Sequence, residues 1–346
     1  MDQKKIRGIK ETRFIKVLRE RLWLILGGVV FVLLLLQIGL KETFLALKSV
    51  KIGYLLMTVG LIVIAQQFIP FIKWVIMCRK TEMGLNVGGI LSLSSRILVG
   101  GIITPGRSGE FLTAFFVKEM KGKVSSMVFL NRVVESSITL LIAILIFGVL
   151  FRNFLTSKSW IFVGAALGII LFLLYVFATK EKAGIYMLSK GKRFMMVLKR
   201  VKLFQMILNL EDKIVREVEH FYISFRSLFS WQTIPVLALC TCFTWALMVV
   251  ANWTLFRSVG SEVPFTIIIG VMVLSAIGSF ISPTPGGIGL GDIPPVYFLF
   301  VNGYHENVGA FILLGRVAVY AVAFGWYFFA TGVYRKKTLV KKGNLT

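Results

Sequence analysis

The sequence predicts an all-α polytopic membrane protein with about six full transmembrane helices and two re-entrant helical hairpins. Three observations predict this fold. The apolar residues come in runs of about 20, the length that crosses a bilayer as a helix. The 346 residues are 57% hydrophobic and only 16% charged, which is too apolar for a soluble domain. The 40 lysines and arginines cluster between the apolar runs, so the net charge of +24 indicates flanks of membrane helices rather than a nucleic-acid-binding patch.

Six apolar runs are long enough to cross a bilayer once each. They are Leu22–Leu40, Ile52–Ile72, Val124–Phe151, Trp160–Ala178, Trp231–Leu255 and Val308–Thr331.

Two further apolar stretches are shorter and are stopped by proline and glycine, which break helices. The stretch Gly88–Ile103 ends at Thr104-Pro105-Gly106, and Phe265–Ser282 ends at Pro283-Thr284-Pro285-Gly286-Gly287. Each is followed by a second short stretch. The sequence therefore predicts two helical hairpins, over residues 88–117 and 265–301.

The basic residues orient the chain, because cytoplasmic segments of membrane proteins are enriched in lysine and arginine. Segment 1–21 has eight basic residues, segment 179–230 has eleven, and the tail after Tyr334 has five. All three lie on one side only if both hairpins turn back within the membrane. We therefore predict a multi-pass protein of the cell membrane with both termini in the cytoplasm. The first hairpin enters from the cytoplasm and the second from outside.

Segment 179–230 is the only sizeable predicted non-membrane region. Its basic residues alternate with apolar ones, as in one or two amphipathic helices. Two interpretations stay open: a cytoplasmic linker, or an interfacial helix on an anionic lipid surface.

The two halves of the chain resemble each other within one membrane domain, 1–346. Thr104-Pro105-Gly106 recurs 180 residues later at Thr284-Pro285-Gly286, and each motif precedes a span that carries an arginine. The predicted orientation makes repeat one (52–151) and repeat two (231–334) opposite in topology. Inverted repeats with broken helices are typical of secondary transporters, which bind their substrates at those breaks.

The hairpin loops and the intramembrane charges are the candidate substrate-binding residues. Glycine lets the backbone approach a ligand, and helix N-termini attract anions. Charges in spans are costly and are functional candidates by default. The candidates are Thr104, Gly106, Arg107, Gly109, Glu110, Arg132, Glu135, Thr284, Gly286, Gly287, Gly289, Asp292 and Arg316.

A structural alternative exists for each of these charges. The acids and arginines can form ion pairs that fix the hairpins to neighbouring spans, and Asp292 can cap the short helix that follows it. Two histidines and three cysteines without zinc or redox spacing predict neither a metal site nor a cofactor.

These motifs resemble the flippase-like membrane domain of lysylphosphatidylglycerol synthases. The first signature is similar to Pro105-x-Arg107-x-Gly109-Glu110, and the second to Arg132-x-x-Glu135. The third is similar to the stretch from Pro285 to Asp292. The resemblance covers nearly the whole chain. It implies a stand-alone member without the soluble aminoacyl-transfer domain, and hence lipid translocation rather than lysine transfer.

Three functions compete. The leading hypothesis is a lipid flippase, not an enzyme, whose Arg107, Arg132 and Arg316 hold a phospholipid or lipid-linked head group. The second is a membrane-embedded transferase acting on a lipid-linked glycan, with an acid as base. The third is a non-catalytic subunit that scaffolds a lipid-modifying partner enzyme. Homo-oligomerisation is left open.

Overall fold

The computed structural model describes residues 28–104, 106–115, 120–150 and 211–343. The regular structure of these residues is helical. In chain order the helices are α1 (Gly28–Ile38), α2 (Leu40–Lys48), α3 (Ile52–Lys80), α4 (Val87–Ile103), α5 (Gly109–Phe115), α6 (Lys121–Leu150), α7 (Glu211–Leu228), α8 (Thr233–Ser258), α9 (Phe265–Ile281), α10 (Ile293–Val301) and α11 (Val308–Gly343).

Four of the described helices are long and apolar enough to cross a membrane: α3, α6, α8 and α11. Each coincides with a predicted span, which confirms the all-α polytopic fold class. The predicted span Trp160–Ala178 and the basic stretch 179–210 lie outside the described residues.

The first predicted span, Leu22–Leu40, ends in a sharp turn of the chain. Helix α1 stops at Gly39, and α2 leaves it at an angle of 82°. Gly39 has φ +112°, a conformation that glycine adopts without the steric cost of a side chain. The Thr43 hydroxyl donates to the Gly39 carbonyl oxygen at 2.8 Å. The turn therefore coincides with the end of the predicted span, directly before the charged residues Lys41 and Glu42; residues 22–27 of the span lie outside the described residues.

Helix α3 is longer than predicted, since it continues eight residues past Ile72 to Lys80. A π-helical turn over Ile64–Phe68 interrupts it, directly before Pro70. Proline has no N–H group and its ring clashes with the carbonyl four residues earlier, so a local change of helix type allows the chain to continue. Lys73 does not end the helix, because it is buried and has polar partners.

The chain divides into two compact units. Unit 1 contains residues 1–64, 98–110 and 246–327, and unit 2 contains residues 65–97, 111–245 and 328–346.

The core of unit 2 is built on α6, whose Val124, Met127 and Leu130 are fully buried. Helix α7 packs along α6 and is amphipathic: Phe225 and Leu228 are buried, whereas Glu219 and His220 are exposed. Helix α7 forms the end of segment 179–230, and its apolar face packs into the core built on α6.

Gly122 lets α7 approach the start of α6 closely. Its N–H donates to Glu217 Oε2 at 2.7 Å. A Cβ atom on Gly122 would overlap the Glu217 carbonyl oxygen and lie 2.8 Å from the Phe221 nitrogen. Both neighbours are backbone atoms, which cannot move aside as a side chain would.

We therefore expect Gly122→Ala to lower the free energy of unfolding by about 1–3 kcal/mol through overpacking. Gly60→Ala is the matched control, because nothing lies within 4 Å of its added methyl group. It should be neutral or gain up to about 1 kcal/mol from helix propensity. Thermal melting in detergent measures both, and equal effects would contradict the role given to Gly122.

In unit 1, α9 and α10 form a helical hairpin around the loop 282–292. Helix α9 has 17 residues, or about 26 Å at 1.5 Å per residue, which is shorter than a bilayer core. The loop folds back onto the end of α9, where a Cβ on Gly278 would lie 2.7 Å from the Gly291 carbonyl oxygen.

Candidate functional site

The first loop is closed by the side chain of Thr104. Its hydroxyl donates to the Gly100 carbonyl oxygen at 2.8 Å and accepts the N–H of Gly109 at 2.6 Å. Gly106 and Arg107 both have positive φ, 57° and 58°. This conformation costs a residue with a side chain roughly 1–2 kcal/mol, and such strain is concentrated at functional sites. Arg107 is therefore a functional candidate on its backbone alone.

The second loop repeats this backbone. Gly286 and Gly287 occupy the positions of Gly106 and Arg107 and have φ values of 60° and 72°. The N–H of Gly287 donates to the Thr284 carbonyl oxygen at 3.0 Å, as the N–H of Arg107 does to that of Thr104. The resemblance between the two motifs thus extends from sequence to local conformation.

The two loops adjoin in unit 1. A Cβ atom on Gly286 would lie 2.9 Å from the carbonyl oxygen of Ile102 and would overlap the hydroxyl of Tyr320. Ile102 belongs to the last turn of α4, directly before Thr104. The end of α4 therefore lies against the second loop. Position 286 needs glycine because a side chain there would meet both Ile102 and Tyr320.

Arg316 holds the second loop in place. Its Nε and Nη2 donate to Asp292 Oδ1 at 3.1 and 2.5 Å. Nη1 donates to the Gly286 carbonyl oxygen at 2.8 Å, and Nη2 lies 3.4 Å from that of Gly287. The other oxygen of Asp292 accepts the Gly289 N–H at 3.0 Å. One guanidinium thus bonds three points of the loop, which is the structural role left open for Arg316.

The alternative prediction for Asp292, a cap on α10, is wrong. Asp292 stands at the N-cap position, but its side chain makes no capping hydrogen bond and its backbone is already helical. Its carboxylate turns toward Gly289 and Arg316 instead, because a buried charge is stabilised more by a guanidinium than by backbone N–H groups alone.

Arg107 is more exposed than Arg316 and is held by a longer ion pair. Its side chain is 40% exposed, and its Nε lies 3.6 Å from Glu110 Oε1. Glu110 is only 4% exposed and packs against Gly101, where a Cβ would lie 2.8 Å from Glu110 Cγ. The acid is therefore buried beside the loop, while the side chain of Arg107 stays partly exposed.

Unit 2 contains a second set of charges, on α3 and α6. Lys73 Nζ donates to Glu135 Oε1 at 3.0 Å and to Asn131 Oδ1 at 3.1 Å. Asn131 Nδ2 donates to Glu135 Oε1 at 2.9 Å, and Arg132 Nη1 donates to Glu135 Oε2 at 3.0 Å. We call these four side chains the α3–α6 network. Arg132 and Glu135 were predicted; Lys73 was not, because the predicted span ends at Ile72.

The structure thus divides the predicted residues between the units. Unit 1 holds the loop residues with Arg107, Glu110, Asp292 and Arg316, and unit 2 holds Arg132 and Glu135. That Arg132 joins Arg107 and Arg316 around one head group stays a prediction. Sequence reasoning also missed Tyr320, whose contact with Gly286 comes from a distant helix. Among the described residues no group of three His, Cys, Asp or Glu side chains could hold a metal ion.

Comparison with known proteins places these residues in a family. Residues 22–326 match the family described as lysylphosphatidylglycerol synthase TM region, which is most of the chain. The chain belongs to this family. The match includes both loops, the α3–α6 network and the Arg316–Asp292 pair.

One relative in this lysylphosphatidylglycerol synthase TM region family is the UPF0104 membrane protein MJ1595 of Methanocaldococcus jannaschii. It is 22% identical over 348 residues, which cover 95% of this chain and 99% of the relative. No solved structure matches the chain. Family membership supports a multi-pass membrane protein with a lipid-related role.

Proposed function

We propose that this protein is a lipid translocator that moves an anionic or zwitterionic phospholipid, or a lipid-linked head group, between leaflets. Membership of the family supports a lipid as the substrate. We infer that the two loops of unit 1 form its binding site.

The observation that carries the proposal is the contrast between the two loop arginines. Arg316 is bound to a carboxylate and two carbonyl oxygens, so it stabilises the loop. Arg107 stands in a left-handed conformation, 40% exposed, with a 3.6 Å ion pair through Nε. The planar guanidinium group can bind a phosphate through two parallel hydrogen bonds. We assign phosphate binding to Arg107.

The loops suit such a site in the membrane. Irregular backbone at membrane depth is tolerated only where protein or water satisfies its polar groups. Here the hydroxyls of Thr104 and Thr284 and the guanidinium of Arg316 supply those bonds. We propose that the α4–α5 and α9–α10 pairs are re-entrant, enter from opposite sides and form an inverted repeat, as the basic residues indicate.

Reconstitution tests the proposal directly. The purified protein is placed in liposomes that carry a fluorescent phospholipid, and a membrane-impermeant reductant then bleaches the outer leaflet. We expect bleaching to continue beyond the outer-leaflet fraction, whereas protein-free liposomes should stop at about half. Bleaching that stops there for several phospholipid classes would overturn the translocator.

The same preparation separates the competing functions. A transferase would form a new lipid product when given a lipid-linked donor and an acceptor. A scaffolding subunit would co-purify with a stoichiometric partner and show no lipid movement by itself.

A further inference from the structure

Tyr320 lies on α11 beside the second loop. It follows Arg316 by four residues, so the two side chains share one face of the helix. It interacts electrostatically with both Arg316 and Asp292. Its hydroxyl lies so close to Gly286 that a Cβ atom on that glycine would overlap it. Tyr320 therefore belongs to the set of side chains that surround the second loop.

Tyr320 also lies at the end of α4. It packs against the buried cluster of Val99, Ile102 and Ala323, two of which belong to α4. The carbonyl oxygen of Ile102 would lie 2.9 Å from the same added Cβ on Gly286. The first loop begins directly after Ile102. One side chain thus stands at the point where the end of α4 meets the second loop.

The two neighbours of Gly286 differ in kind. The Ile102 carbonyl oxygen is part of the α4 backbone, whereas the Tyr320 hydroxyl is the end of a side chain. That side chain has only two torsions, and its ring is held by the packing against Val99 and Ile102. The hydroxyl therefore fills a fixed place, and its removal would leave room for the second loop to shift.

We propose that Tyr320 is a positioning residue that sets the spacing between the end of α4 and the second loop, and thereby the fit of a phosphate-containing head group. This inference rests on the proposed translocator function and refines its site in unit 1. Arg316 fixes the internal shape of the second loop, whereas Tyr320 fixes where that loop stands against α4. Tyr320 acts through the backbone of Gly286 and does not have to touch the lipid.

The first test is lipid binding by the full chain in neutral detergent, with phosphatidylglycerol and phosphatidylethanolamine titrated separately. A ligand that binds the folded state raises the melting temperature by an amount that grows with its affinity. Tyr320→Phe keeps the ring and removes the hydroxyl, and it should weaken lipid binding by about threefold or more. Tyr297→Phe is the matched control. It removes a hydroxyl from a tyrosine that is 69% exposed on α10, and it should bind lipid as the wild type does.

The second test is a double-mutant cycle at Gly286. Gly286→Ala places a methyl group against the Tyr320 hydroxyl on a backbone with positive φ, so it should lower the melting temperature and weaken lipid binding. Tyr320→Phe removes the atom that this methyl group overlaps. It should therefore raise the melting temperature and the lipid affinity of Gly286→Ala, although it lowers the lipid affinity of the wild type.

Gly287→Ala is the control for this change of sign. Its methyl group would meet Ser279 instead of Tyr320, so Tyr320→Phe should weaken lipid binding in this background as in the wild type. Equal rescue of Gly286→Ala and Gly287→Ala would overturn the proposal. If Gly286→Ala does not fold, the comparison of Tyr320→Phe with Tyr297→Phe decides.

The outcomes also separate this inference from the proposed function. A wild type that neither lipid stabilises refutes the lipid site itself. If the wild type binds lipid and Tyr320→Phe binds it equally well, the positioning role alone is refuted, even where Tyr320→Phe melts at a lower temperature. A purely structural contact changes the melting temperature of the lipid-free protein and leaves the affinity for lipid unchanged.

Discussion

Replacing Asp292 with alanine is expected to lower the free energy of unfolding by about 3–5 kcal/mol, the usual effect of removing one partner of a buried ion pair. The variant leaves the Arg316 guanidinium without its carboxylate and deprives the Gly289 N–H of its acceptor. Thermal or denaturant unfolding in detergent measures the change. Asp292→Asn should lower the free energy of unfolding by less, because the amide oxygen can still accept the hydrogen bond from the Gly289 N–H.

The exposed pair of Arg257 and Glu262 provides the control. The Glu262 side chain is 75% exposed, and such surface pairs contribute about 0–1 kcal/mol. Glu262→Ala should therefore change stability by less than about 1 kcal/mol. If Asp292→Ala has an effect as small, the Arg316–Asp292 pair does not hold the second loop.

Arg107→Ala is expected to reduce the rate of lipid movement by about tenfold or more, since a charge-assisted contact to phosphate contributes at least about 1.5 kcal/mol. Its effect on stability should be small, because the Arg107 side chain is 40% exposed and its ion pair with Glu110 is long. Arg107→Lys should move lipid at a rate between those of the wild type and Arg107→Ala, because lysine keeps the charge but cannot form the paired hydrogen bonds. The fluorescent-lipid assay measures all three proteins.

Arg96→Ala is the control for removing an arginine from this part of the sequence. Arg96 is exposed on α4 and lies outside both loops. Its variant should move lipid at the wild-type rate. If Arg107→Ala is folded and still moves lipid at the wild-type rate, the assignment of phosphate binding to Arg107 is wrong.

The sequence predicted those parts of the fold that depend on local physical chemistry. Hydropathy located α3, α6, α8 and α11, because a bilayer requires a long apolar helix whatever its neighbours are. The breaks after α4 and α9 followed from proline and glycine. The repeated Thr-Pro-Gly motif also predicted the repeated backbone of the loops.

The partners of the charged residues could not be predicted in the same way. Arg316 contacts Asp292 and Gly286, 24 and 30 residues away in sequence, and a single sequence contains no signal for such pairs. The charge of Lys73 suggested the end of a span, yet Glu135, 62 residues away, keeps it inside the helix. The role of Asp292 was misinterpreted for the same reason. Its position fits an N-cap of α10, and the sequence does not show that its partner is Arg316.

The close packing of the second loop against α9 limits how the tip of the α9–α10 hairpin can move. Loop residues fold back onto the last turn of α9, where Gly291 lies against Gly278 and Gly287 lies against Ser279. The atoms that surround Gly278 are main-chain atoms, which cannot change rotamer and make room. The loop and the end of α9 are therefore coupled, and a displacement of the tip has to shift the end of α9 with it.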